Sequence, residues 1–184
     1  MKFLAIPFIL FFLFFSCKVT SQNNNHELLT EMDPEKSIST NTADSENYKT
    51  LIEVMRASEL EELLADDGPF TVFAPNDSAF EKLPRNKVAE LLKPENRKEL
   101  KDLMAYHIVA GNFSASKILK AMCRGNGTAT FTTVQGKELI ATMQGIDIVL
   151  SDSIGNSAKI TSADANQCNG VIHEIDGVIT PGNL

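Results

Sequence analysis

The sequence predicts an α+β domain. Apolar residues at helical spacing fill most of the stretch from Tyr48 to Tyr106, and β-branched runs separated by glycine turns fill the stretch beyond Gly127. A single strand-like run, Phe70–Ala74, interrupts the helical half.

The elements follow in order. Tyr48–Ala65 turns Leu51, Ile52 and Met55 inward, then Leu60, Leu63 and Leu64. The phase slips near Ser58, and Ser58-x-x-Glu61 has the form of a capping box, so two short helices with a restart are predicted. Gly68-Pro69 stops the second. Phe70-Thr71-Val72-Phe73-Ala74 reads as a buried strand that Pro75 ends, and Asn76 or Asp77 caps a helix carrying Ala79 and Phe80. Lys87–Leu92 and Glu95–Tyr106 give two more helices around Pro94. The second buries Leu100, Leu103 and Met104, with His107 on the same face at its end. Beyond Gly111 a helix covers about Ala115–Met122 and leads into the loop Arg124-Gly125-Asn126-Gly127. Strands are expected near Thr128–Val134, Glu138–Met143, Asp147–Ser151 and Ala158–Ser162, with a last pair within Gly170–Ile179. Gln135-Gly136, Gln144-Gly145 and Gly155-Asn156 mark turns between them.

A chain of 184 residues has room for one such domain plus appendages. Its net charge of −7 argues against nucleic acid, whose phosphates call for clustered Lys and Arg. Six of the 11 Phe lie within Met1–Cys17, so the rest of the chain has few aromatic platforms for a sugar. That same N-terminus joins Lys2, an apolar run from Phe3 to Phe15 and Ser16-Cys17, the layout of a secretory signal. Phe14-Phe15-Ser16-Cys17 resembles a bacterial lipobox, with Phe where the usual pattern has Leu and a small residue. It makes Cys17 the expected lipid anchor. An ordinary secreted protein cut nearby, or an uncleaved membrane anchor, are the alternatives. Lys18 after the cysteine favours the outer membrane, and the lipid would be the only membrane contact. Residues 18–46 are polar and offer little apolar area to offset ordering entropy, so a disordered tether of about 30 Å is expected before a domain at 47–184. A domain start near 37 is the alternative, with Ile38 in a first helical turn.

Little in the chain looks catalytic. His107 and His173 lie 66 residues apart, without the paired spacing of a metal site, and no Gly-x-Ser-x-Gly or phosphate-binding glycine loop occurs. No catalytic residue, cofactor or metal is expected. His107 is expected to bond a buried partner near Asn76 or Asp77. Phe70, Val72, Phe80, Val171, Ile172 and Ile175 read as core. Cys123 and Cys168 form an even pair in an exported domain, so they are read either as a disulfide closing a long loop or as two separate thiols.

Three segments carry a resemblance to a known family. Gly68-Pro-Phe-Thr-Val-Phe-Ala-Pro-Asn-Asp-Ser-Ala-Phe80 resembles the first signature of the fasciclin (FAS1) family. Asn169-Gly-Val-Ile-His-Glu-Ile-Asp-Gly-Val-Ile-Thr-Pro181 resembles the second, and Tyr106-His107 the motif between them; Thr133-Val134-Gln135-Gly136 also fits. The resemblance implies a wedge-shaped β-sandwich with a layer of short α-helices. Phe70, Phe73, Phe80, Tyr106, His107 and His173 are then structural motif residues. It also implies a role in adhesion and protein–protein contact, with an envelope or extracellular protein as partner; a small apolar ligand or polysaccharide is the alternative. Just before the second signature, matrix members carry a Glu-Pro-Asp-Ile-Met type segment linked with integrin. Here the stretch reads Ser162-Ala163-Asp164-Ala165-Asn166, of which only Asp164 agrees, so integrin binding is not carried over. The segment Asp164, Ala165, Asn166 and Gln167 is nonetheless the candidate contact loop.

Overall fold

A computed structural model describes residues 32–181. Cys17, the expected lipid anchor, and the expected tether as far as residue 31 lie outside the described residues. Among the described residues no helix is long and apolar enough to cross a membrane.

Among the described residues, seven α-helices and seven strands make up the domain, most of the helices lying in a layer on one side of a curled sheet. The helices are α1 Ile38–Asp44, α2 Lys49–Ala57, α3 Leu63–Asp66, α4 Asp77–Glu81, α5 Lys87–Leu91, α6 Arg97–Tyr106 and α7 Ala115–Arg124. The strands are β1 Phe70–Pro75, β2 Ile108–Ala110, β3 Thr128–Thr132, β4 Glu138–Gln144, β5 Asp147–Ser151, β6 Ser157–Gln167 and β7 Gly170–Ile175. Their order is β2-β1-β7-β6-β5-β4-β3. The ends meet at a bridge between Val109 and Thr133, so the sheet nearly closes. The two faces of the expected sandwich therefore belong to one sheet. The long β6 passes between them, pairing with β5 at its start and with β7 at its end.

Two apolar clusters sit on either side of β1 and β7. Val72, Ala74 and Ile172 face the helices with Leu51, Met55, Leu100 and Leu103. Phe73 and Ile175 face the interior of the curled sheet with Phe131, Leu139 and Leu150. Strands buried on both faces read as near-continuous apolar runs, as β1 does; β7 breaks its run with the buried His173 and Glu174.

The packed structure begins earlier than residue 47. Ser37 caps α1 by accepting the Thr40 N–H (3.3 Å), and Ile38 is fully buried in the helical cluster. Residues 37–46 look polar because α1 buries polar side chains: Thr42 Oγ1 donates to Ile38 O (2.8 Å), and Asn41 is tied to Asp33 O (2.7 Å) and Gln167. Hydropathy alone does not register such a helix; residues 37–46, the end of the segment expected as tether, pack on the domain, where the alternative start near 37 put Ile38 in a first helical turn.

The predicted capping box at Ser58 is corrected too. Ser58 ends α2, its hydroxyl turned back onto Met55 O (3.0 Å). Glu59 adopts φ 61°, and the N–H groups of Glu59 and Leu60 return to Arg56 O and Met55 O, a left-handed helix stop closed by the Leu60 side chain. Glu61 pairs with Arg56 instead of the helix start. Asn76 and Asp77 divide the capping between two helices. Asn76 accepts the Ala79 N–H at the start of α4 (2.9 Å), while Asp77 reaches across to the Thr50 N–H of α2 (2.8 Å).

Replacing Ile38 by Ala should cost about 2–5 kcal/mol, the usual range for emptying a buried aliphatic site. Urea denaturation of the variant checks this, and an unchanged midpoint would place α1 outside the cooperative unit.

Candidate interaction surface and its structural clamps

The motif histidines are committed to backbone groups. His107 Nδ1 lies 2.9 Å from Leu103 O, which can only accept, and Nε2 lies 3.1 Å from the Ile179 N–H, which can only donate. The ring is therefore neutral with its proton on Nδ1, and it ties the end of α6 to the C-terminal segment. The expected partners Asn76 and Asp77 are not involved; they are spent on helix caps. His173 shows the mirror arrangement. Nε2 donates to Phe113 O (2.8 Å) and Nδ1 accepts from the Asp164 N–H (3.2 Å), while the ring stacks on Phe73 at 5.6 Å. Burial pulls the His107 pKa down to about 4, against a smaller upward pull from the Leu103 carbonyl. Burial lowers His173 as well, opposed by the Phe113 carbonyl and the nearby Asp164 charge.

Other buried polar groups are held in the same way. Tyr106 donates to Glu138 O (2.6 Å), and burial, with Asp152 nearby, raises its phenol to about 12. Glu174, inside β7, accepts from Tyr48 Oη (3.2 Å) and Thr161 Oγ1 (2.7 Å). Among the described residues no group of three His, Cys, Asp or Glu is arranged to hold a metal ion. Phe73 and Phe80 are buried in the core, and Phe70 is partly buried against the helical cluster.

The segment Asp164, Ala165, Asn166 and Gln167 is not a loop. It is the second half of β6, paired with β7 through Ala165–Ile172, Asn166–Val171 and Gln167–Gly170. Register shifts on either side of Ser162 and a φ of 66° at Asp164 mark a bulge, which breaks the alternation that would have identified a strand. The expected separate pair within Gly170–Ile179 reduces to β7 alone, its partner being this end of β6. Asp164 is exposed, but its carboxylate accepts the Ala115 N–H (2.7 Å) at the start of α7. Ala165 is packed in the helical cluster, and Gln167 is buried against Asn41 and Met32. Of the four, Asn166 is exposed, with its amide turned back to Asp164 O (3.2 Å).

Cys123 and Cys168 are both exposed, unbonded thiols. Cys123 lies near the end of α7, which packs on β3; Cys168 opens the β6–β7 turn with its N–H on Lys36 O (3.0 Å). Of the two readings left open by the sequence, this structure has the separate thiols.

Residues 46–181 match the family profile described as the fasciclin domain. The chain is 36% identical to protein sll1483 of Synechocystis over 76% of its length and 70% of the relative's. It is 34% identical to the uncharacterized protein sll1735 of the same organism, over 74% of this chain and 92% of that one. A FAS1 domain pair from the insect cell adhesion molecule Fasciclin I superposes with a TM-score of 0.68 at 16% identity, covering 79% of this chain and 51% of that one. That likeness concerns the fold.

Two outcomes follow for the clamps. A buried neutral histidine whose pKa lies below its unfolded value contributes stability above about pH 6.5 that is lost as the pH falls toward 4. His107 alone should remove about 3 kcal/mol over that window. Denaturation at stepped pH measures the slope, and His107→Gln should flatten it. At the β6 bulge, Asp164→Ala should lower stability by about 1–3 kcal/mol through the lost helix contact and the left-handed backbone. Asn166→Ala should stay within about 0.5 kcal/mol of the parent in the same melt.

Proposed function

The chain belongs to the fasciclin family, and we propose that its domain is a non-catalytic adhesion or protein–protein interaction module of the bacterial cell envelope, tethered through lipid on Cys17. One observation carries the non-catalytic part. Both motif histidines spend both ring nitrogens on backbone partners, so neither has a lone pair free to take a proton from a substrate. A base without a vacant lone pair is a clamp.

The same reasoning weighs against the alternative of a small apolar ligand under the helical layer. The space between helices and sheet is filled by Leu51, Met55, Leu64, Leu100, Leu103 and Met104, each about 1% exposed or less. Contact then falls to the outer surface, where partner proteins or polysaccharides would meet the domain. The solved relative's description as a cell adhesion molecule agrees with this use. The anchoring part rests on Ser16-Cys17 after an apolar segment, since two or more acyl chains hold a protein on a membrane stably. Lys18 at the next position favours the outer membrane.

Cys17→Ser tests the anchor and supplies the reagent for testing the module. The parent should partition into the detergent phase and the variant should not; equal partitioning removes the lipid. The purified variant, incubated with envelope extract, should retain a partner that is lost when the extract is first treated with protease. Retention of glycan alone would instead establish the polysaccharide reading.

A further inference from the structure

The segment that follows β7, Asp176–Pro181, forms neither strand nor helix and is held from outside. Its base is fixed at Asp176. The N–H there donates to Lys159 O (3.0 Å), and the carboxylate accepts the Lys159 N–H (2.7 Å) and pairs with Lys82 (3.4 Å). Beyond Asp176 the ties described all run to side chains. The Ile179 N–H donates to His107 Nε2 (3.1 Å), Asn156 Nδ2 donates to Thr180 O (3.2 Å), and Lys137 Nζ donates to Pro181 O (3.1 Å). The Ile179 side chain is buried with Tyr106, Val109, Phe131 and Leu139 in the cluster inside the curled sheet. The segment thus plugs that cluster, and its central backbone tie is one imidazole.

A proton acts on this ring in one direction. Nδ1 already carries a hydrogen and donates to Leu103 O, so protonation leaves that bond in place. The proton goes to Nε2, the nitrogen that accepts from Ile179, and sets two N–H donors against each other. No charged group on the surrounding elements offsets this. Tyr106, edge-on at 6.5 Å, is kept neutral by its raised phenol. On the C-terminal segment Asp176 is turned to Lys82 and Lys159, and from the β3–β4 connection Lys137 is spent on Pro181 O. Asp152 accepts the Ile154 and Asn156 N–H groups (both 2.9 Å), and Lys98 and Asp102 of α6 line the outer groove. The lowered pKa of His107 comes from burial, opposed by the Leu103 carbonyl, with no part from a charged side chain. His173 differs, because the Asp164 charge favours its protonated ring.

We propose that His107 is a proton-operated latch on the C-terminal segment: a proton on Nε2 frees residues 177–181 from the mouth of the curled sheet, while α6 stays tied at Leu103. In the freed state the ring meets water and takes the ordinary histidine value of about 6.5, against about 4 in the closed state. The open form therefore binds the proton more tightly. The closed latch has its full stability above about pH 6.5 and loses it as the pH falls toward 4. Between about pH 7.5 and 5 the opening equilibrium shifts about thirtyfold toward the open form. Withdrawal of Ile179 uncovers the apolar residues beneath it, so acid converts a closed end of the domain into an apolar one.

Amide hydrogen exchange of the purified Cys17→Ser protein, read residue by residue by NMR at these two pH values, tests the latch. The protection factor of the Ile179 amide should fall about thirtyfold from the higher pH to the lower. The Phe73 amide, bonded to the carbonyl of the same histidine, should stay at least about tenfold better protected than Ile179 at both. Low urea should leave the Ile179 rate unchanged, as a local opening requires. His107→Gln puts an amide oxygen where Nε2 accepts and does not titrate, so its Ile179 protection should be equal at the two pH values. Asp176→Asn removes the carboxylate at the base of the segment and should keep the parent's change. Equal protection of Ile179 and Phe73 in the parent means that the segment opens only with the whole domain, and that result overturns the proposal without any variant. So does an Ile179 protection that ignores pH, a pH dependence that survives in His107→Gln, or one that vanishes in Asp176→Asn.

Discussion

The fold depends on the parallel pairing of β1 with β7, two strands a hundred residues apart in the chain. They run in register from Phe70–Gly170 to Pro75–Ile175, and the two apolar clusters lie on their two faces. The start of the pairing tolerates no side chain. A Cβ on Gly170 would lie 2.0 Å from Phe70 O, and one on Gly68 would lie 2.5 Å from Asn169 O. Between these glycines, Asn169 joins three segments. Its Oδ1 accepts the Ile38 N–H (2.9 Å), and its Nδ2 donates to Leu64 O (2.9 Å) and Asp67 O (3.0 Å). Its carboxamide fixes the first helix and the body and end of the third relative to β7, while its backbone carbonyl accepts the Phe70 N–H that opens β1 (3.0 Å).

The histidines extend this logic outward. His173, on β7, stacks on its cross-strand neighbour Phe73 and fastens the β6 bulge and the connection after β2. His107 fastens the end of α6 to the segment that follows β7, and its own carbonyl accepts the Phe73 N–H (2.9 Å). An imidazole suits these places because one ring satisfies both a donor and an acceptor several ångströms apart, without a charge to bury. Replacing either ring by an aliphatic side chain would leave a buried N–H and a buried C=O unpaired, each at a cost of about 1–3 kcal/mol. Residues that look chemically able in the sequence are thus retained here for a reason that has no chemistry in it.

How much could be read in advance follows from the same physics. β1, buried on both faces, announces itself as an apolar run, and the glycine turns after β3, β4 and β5 are signalled by Gly136, Gly145 and Gly155, all at positive φ. The segments that escaped are those where tertiary hydrogen bonds replace local signals. α1 buries Ser39, Asn41 and Thr42 and so resembles a linker. The second half of β6 carries Asp164 at a bulge and buries Gln167, so it resembles a loop. β2 is only three residues long and follows a helix directly. The contact segment failed as a loop for the same reason: a polar composition was read as exposure, whereas two of its four residues point inward.

A division of labour results. The residues by which the family is recognised are those the β1–β7 pairing requires, and they are buried or bonded to backbone. They therefore cannot tell one partner from another. Specificity must be written at positions the frame leaves free, chiefly outward-facing helix residues and strand-connecting turns. The α6 wall illustrates the point: Leu100, Leu103 and Met104 are fixed by the core, whereas Glu95, Lys98 and Asp102 on the same stretch answer to no interior partner. Their charges can change sign at little cost in stability, because exposed ion pairs contribute only about 0–1 kcal/mol. A rigid frame with an unconstrained charged face permits relatives of one fold to differ in what they hold.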